Sequence, residues 1–217
     1  MATSATTGRL SPEDFRRLTG VSRETAKQFQ AYAELLARWQ RRINLVSTAS
    51  LADLWRRHFL DAAQLAPLIA GPPRRIADIG SGAGFPGLVL ALIGVGPVDL
   101  IESDGRKCAF LSEAVRVTGA PARVVHGRAE SVRFDQPAQI VTARGVGPIP
   151  RILAAAAAIS DPATIYLLPR GRNASERLTA NTKDTNMRME RYASITEPGG
   201  VILRLTEDRS GSIDAFQ

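Results

Sequence analysis

Arg75-Ile76-Ala77-Asp78-Ile79-Gly80-Ser81-Gly82-Ala83-Gly84-Phe85-Pro86-Gly87 reads as an apolar strand that delivers a carboxylate into a glycine-rich turn. The turn then opens a helix, because Leu88 to Ile93 is continuously apolar. Glycines at 80, 82 and 84 let the backbone reach positive φ and let a bound molecule approach without meeting a Cβ. The N–H groups of the following helix then face whatever sits there. A strand before the turn, a helix after it and a second acid at the end of the next strand together predict a small-molecule site.

Spacing narrows the ligand. A dinucleotide fingerprint is G-x-G-x-x-G with a pyrophosphate on the helix N-terminus. This chain reads D-x-G-x-G-x-G and places Phe85 where the third glycine would fall. That disfavours a nicotinamide oxidoreductase. A carboxylate such as Asp78 beside the loop repels a pyrophosphate and suits a cation. S-adenosylmethionine carries a sulfonium and an ammonium and no phosphate. The run therefore resembles the first motif of class I methyltransferases, with Asp78, Gly80, Gly82, Gly84 and Phe85 as cofactor residues. The next strand, Val98-Asp99-Leu100-Ile101-Glu102, ends on an acid eighteen residues beyond Gly84. That is close to the distance expected for a carboxylate on ribose hydroxyls.

The rest of the chain bounds the partners. The 217 residues suffice for one domain with a full core. No window approaches the roughly 20 apolar residues of a membrane span, and Met1 to Gly8 has no apolar signal core. A single cysteine, Cys108, excludes an internal disulfide and a cysteine-rich metal site, so neither metal nor membrane is expected and the cytoplasm is. The net charge of +7 points to a polyanion, of which nucleic acid is the commonest. Lysine supplies only Lys27, Lys107 and Lys183 of the 28 basic residues. Arginine forks match phosphates, but a GC-rich genome produces the same bias with no functional cause.

Residues 1–9 are expected to form a disordered leader, 10–70 a helical cap and 71–217 an α/β region, all within one globular unit. Ser11-Pro12-Glu13-Asp14 is a helix start, Gly20 a stop and Ser22 a second start. Ser50 and Asp53 predict the cap of a third helix running to about Ala70. Strands are predicted at 74–79, 97–101, 122–125, 139–143 and 164–168, and helices near 86–93, 106–117, 148–159 and 175–179. A closing hairpin, 187–196 with 201–206, turns at Glu197-Pro198-Gly199-Gly200. The prediction is a Rossmann-like α/β fold with a seven-stranded, mostly parallel sheet.

Ligands of such sheets lie beyond the carboxyl ends of the strands. Ala129 and Glu130, after the third strand, are candidates to border the adenine. Arg144, after the fourth, stands where the methyl acceptor meets the cofactor. No Asn/Asp-Pro-Pro-aromatic run, cysteine or lysine lies there, which disfavours exocyclic amines, pyrimidine carbons and ribose hydroxyls as acceptors. A ring nitrogen such as guanine N7 already has a free lone pair and needs only alignment. Arg144 would then hold O6, a phosphate or the cofactor carboxylate, since a guanidinium does not act as a base. Arg170 and Arg172 could meet RNA phosphate, and His58 either packs in its helix or faces RNA.

These residues resemble one family closely: the ribosomal small-subunit methyltransferase G family, RsmG or GidB. The match runs through Asn44-Leu45, Arg57-His58-Phe59-Leu60-Asp61, the loop from Asp78 to Gly87, Glu102-Ser103 with Arg106-Lys107, Gly127-Arg128-Ala129-Glu130 and Ala143-Arg144. Ala62 replaces the family's usual serine, and Arg170-Gly171 replaces a Lys-Gly pair. The resemblance implies methyl transfer from S-adenosylmethionine to N7 of a guanine (family position 527, in the 530 loop) of 16S rRNA. It further implies that Gly80, Phe85, Ala129, Glu130 and Arg144 line the cofactor site, and that the partner is 16S rRNA or the small ribosomal subunit; a monomer is expected. The alternatives are a methyltransferase of a small molecule or protein, and a non-catalytic RNA-binding module.

Overall fold

The computed structural model describes residues 9–69, 71, 74–172 and 186–208. The chain begins with α1 (Pro12–Thr19) and α2 (Arg23–Gln40). The Ser11 hydroxyl accepts the Asp14 N–H while Asp14 takes the Ser11 N–H, so two otherwise unpaired donors are satisfied together. Gly20 ends α1 in the left-handed region, and Ser22 caps α2 through the Thr25 N–H.

The expected third helix does not form as one element. Its cap is Ser47, whose hydroxyl takes the Ser50 N–H, and α3 covers only Thr48–Leu51. A π-helical turn, Trp55–Leu60, follows, then α4 (Asp61–Ala63) and a 3-10 turn, Ala66–Leu68. Asp53 instead takes the Leu10 N–H and pairs with Arg56. The wide winding turns His58, Phe59 and Leu60 inward in succession. That demand of packing overrides the capping pattern read from Ser50 and Asp53.

The α/β region forms β1 (Ile76–Ile79), α5 (Gly87–Leu92), β2 (Val98–Glu102), α6 (Gly105–Thr118), β3 (Ala122–His126), β4 (Ile140–Ala143), α7 (Ile149–Ala156), β5 (Ile165–Arg170), β6 (Met187–Ala193) and β7 (Val201–Glu207). The sheet order is β3-β2-β1-β4-β5-β7-β6. The first five strands run parallel, and β7 inserts antiparallel between β5 and β6. Each predicted strand is present within a few residues. The expected leader and the helix at 175–179 lie outside the described residues, save Arg9.

Strand order reverses at β1, with β2 on one side and β4 on the other, and a crevice opens there at the carboxyl edge. The cap seals one face of this sheet. Phe15, Phe29, Tyr32 and Phe59 share a single buried cluster with Leu88, Leu90, Phe110 and Leu111. A second cluster, including Val141, Ile152 and Leu203, fills the other face. At the opposite end of the strands, buried Asp99 sits between Arg75 and Arg123, so part of the arginine excess is structural. Among the described residues no helix is long and apolar enough to cross a membrane.

Candidate active site

The glycine loop is built from below. Asp78 pairs in register with Thr142 across β1 and β4, and the Thr142 hydroxyl donates to its carboxylate at 2.7 Å. The other carboxylate oxygen takes the Gly87 N–H at 3.2 Å, tying β1 to the start of α5. Gly87 must be glycine, because a Cβ there would lie 2.6 Å from the Asp78 Cβ. Asp78 is fully buried, and burial pushes its carboxyl up to about 6 despite these hydrogen bonds. It therefore supports the loop from beneath. Gly80, Gly82 and Gly84 all take positive φ, as the spacing anticipates.

Glu102 braces the loop from the side. One carboxylate oxygen takes the Gly82 N–H at 2.9 Å, and the other takes the N–H groups of Ser103 and Asp104. From the cap, Tyr32 donates to the Ala83 carbonyl and stacks on Phe85 with centroids 5.5 Å apart. Beside the loop lies a pocket of about 110 Å³ that joins Gly80, Ala129 and Glu130 with Ser103, Val146 and Arg151. The carboxyl ends of β1, β2 and β3 thus meet at one pocket.

Arg144 stands on the other side of the loop. Ile79 and Ala143 pair in register, so Gly80 and Arg144 leave the sheet side by side. The Arg144 guanidinium donates to His58 Nδ1 at 2.7 Å and to the Arg57 carbonyl and Asp61 carboxylate at 3.2 Å each. It also lies 5.1 Å from the centre of the Phe85 ring, against which His58 stacks. His58 is buried, and burial, reinforced by the Arg144 and Arg57 charges, pushes it down to about 3. A neutral imidazole accepting at Nδ1 carries its proton on Nε2, which has no partner.

A cleft of about 440 Å³ opens beside this cluster, lined among others by Arg57, His58, Asp61, Arg144, Arg170 and Glu197. One terminal nitrogen of Arg170 is buried with no hydrogen-bond partner. Arg172 is instead turned to the Pro198 carbonyl and does not line the cleft. Asp61 joins cap to hairpin: besides Arg144 it accepts from Gln64 and, at 2.5 Å, from the Thr196 hydroxyl. Of the residues named in advance, Gly80, Ala129 and Glu130 line the smaller pocket, His58, Arg144 and Arg170 line the cleft, Asp78 is buried, and Arg172 lies at neither. Asp61, Tyr32, Gln64 and Thr196 carried no predicted role. Asp61 alone stood in a quoted run, Arg57-His58-Phe59-Leu60-Asp61, as part of the resemblance and with no contact assigned to it.

The family model for rRNA small subunit methyltransferase G matches residues 25–203. This chain belongs to that family. A ribosomal RNA small subunit methyltransferase G from Paramagnetospirillum magneticum is 47% identical over 202 residues, covering 93% of this chain and 98% of the relative. The protein of that name from Rhodospirillum centenum is 50% identical over 194 residues, covering 89% of each. Among solved structures, a variant of MtNAS in complex with S-adenosylmethionine aligns over 94% of this chain and 86% of its own, with a TM-score of 0.57 and 13% identity. That last likeness supports the fold alone.

Proposed function

We propose that this protein transfers a methyl group from S-adenosylmethionine to N7 of a guanine in the 530 loop of 16S rRNA. The observation that carries the reading is the adjacency of Gly80 and Arg144. They leave paired positions of β1 and β4, one beside the adenine-side pocket and one into the larger cleft. Methyl donor and acceptor can therefore meet at one sheet edge. The residues present fit the cofactor: Gly80, Gly82 and Ala129 offer small residues, Glu130 borders the same pocket, Gly84 and Phe85 anchor the loop against the cap, and Glu102 is a carboxylate at the ribose position. Asp78 holds the loop from below. When bound, S-adenosylmethionine supplies an activated methyl on a sulfonium.

The cleft side orients the acceptor. Arg144 is fixed by His58, Asp61 and the Arg57 carbonyl, and the unpartnered Arg170 nitrogen is a donor awaiting an acceptor such as guanine O6 or phosphate. The carboxylates are already engaged, Asp61 by Arg144 and Thr196, Glu197 by Arg57. His58 spends its lone pair on Arg144. A nucleophile with its own free lone pair suits these surroundings, because the protein needs only to align it.

Transfer of labelled methyl to 30S subunits and to protein-free 16S rRNA, both lacking the modification, tests this. Labelled RNA is expected. Unlabelled RNA with intact cofactor binding would move the assignment to a small-molecule or protein acceptor.

A further inference from the structure

A second cleft lies on the cap, outside the site described. At the end of α2, Arg38, Trp39, Arg41 and Arg42 line a cavity of about 380 Å³. Next to it, Gln40 to Asn44 face Asp104, Arg106 and Lys107 at the start of α6 around a cavity of about 250 Å³. Arg38, Arg41, Arg42 and Arg106 are exposed, and Trp39 and Lys107 are half-buried. The carboxylate of Asp104 is spent on the N–H groups of Arg106 and Lys107 and on the Arg106 guanidinium.

One arginine near a helix C-terminus is accounted for by the helix dipole. Three arginines beside one half-buried indole, with Arg106 and Lys107 bordering the adjoining cavity, are more than that dipole requires. The loop presenting them is clamped: the Gln40 side-chain Oε1 takes the N–H groups of Leu45 and Val46, and its Nε2 donates to the Val46 carbonyl. The groove lies near the active site along the chain. Asn44 lines it and Ser47 lines the 440 Å³ cleft, so at most about 11 Å of chain separates the two.

We propose that the Arg38–Arg42 groove, with Arg106 and Lys107, is an RNA-backbone site that holds the strand flanking the target nucleotide. This rests on the rRNA reading above. Cations that follow a phosphate chain beside an aromatic face are the chemistry of single-stranded nucleic-acid binding. Each phosphate contact releases counterions and steepens the salt dependence.

The test uses the full chain with 30S subunits and protein-free 16S rRNA. Arg41→Glu with Arg42→Glu should raise KM for both substrates at least tenfold and lower the salt slope of RNA affinity by about two. Arg41→Lys with Arg42→Lys should restore most of the slope, which a folding defect would not allow. In a Trp55→Phe chain, where Trp39 is the sole indole, 16S rRNA should quench the fluorescence. A wild-type protein that methylates RNA while the charge-reversed one keeps its KM and slope would overturn the groove alone. Lost affinity for 30S subunits with unchanged affinity for protein-free rRNA would assign the groove to a protein partner instead. If the wild type neither binds nor methylates RNA, both readings fall.

Discussion

The Arg144 guanidinium and the His58 imidazole meet at 2.7 Å, a cation donating to a ring nitrogen that burial keeps neutral. The contact links the end of β4 to the cap's π-helical turn. Asp61, three residues on, takes a second branch of the same fork. A planar group gripped at three points has little freedom, which is what positioning an acceptor requires.

Arg144→Ala should therefore reduce kcat by on the order of 100-fold while leaving the fold intact. Arg144→Lys should not rescue it, because an ammonium cannot reproduce the fork. Single-turnover methyl transfer together with thermal unfolding checks both. Normal turnover in either variant would remove Arg144 from the site.

His58 and Asp78 predict opposing pH dependences. His58 stays neutral in the fold while the unfolded chain protonates near 6.5, so its contribution is present above that pH and is lost as pH falls toward 3. Asp78 titrates near 6 in the fold against 3.8 in the chain, so its contribution falls as pH rises from about 4 to 6, by about 3 kcal/mol. The two slopes oppose each other between pH 4 and 6. Urea denaturation across that window should show stability rising more steeply with pH in Asp78→Asn than in wild type, and falling with pH in His58→Gln. Parallel profiles in all three proteins would refute these protonation states.

Gly80→Val should weaken cofactor binding at least tenfold, since φ is +64° and a Cβ would sit 2.9 Å from a Val146 methyl. Adding Val146→Ala should recover part of the loss by removing the collision while the backbone strain remains. Titration calorimetry reads both. Equal affinity in wild type and Gly80→Val would show that the loop does not hold the cofactor.

Tyr32→Phe removes the hydroxyl that donates to the Ala83 carbonyl but keeps the stack on Phe85. A loss of about 1–2 kcal/mol is expected in equilibrium unfolding, because a buried carbonyl is left unpaired. No loss would mean that the cap does not brace the loop.

Much of this was legible in the chain. Asp78 to Gly87 announces strand, turn and helix because glycine and apolar runs report backbone needs that only a few residue types meet. The hairpin was equally readable at Glu197-Pro198-Gly199-Gly200. The third helix was not: Ser50 and Asp53 satisfy a local capping pattern, yet inward packing of His58, Phe59 and Leu60 reshaped the segment. Asp78 and Glu102 were placed at the right strand ends, but their partners were not foreseen. Backbone N–H groups such as those of Gly82 and Gly87 carry no sequence signature. The Asp61–Thr196 bond joins residues 135 apart in the chain, and such pairing is set by topology rather than local pattern.

The most direct measurement is to map the methyl group by strand cleavage selective for 7-methylguanine on 16S rRNA treated with wild-type or Arg144→Ala protein. One cleavage site in the 530 loop, present with wild type and absent with the variant, is the predicted result. A methyl group at another atom or another position, or equal cleavage with both proteins, would contradict the account.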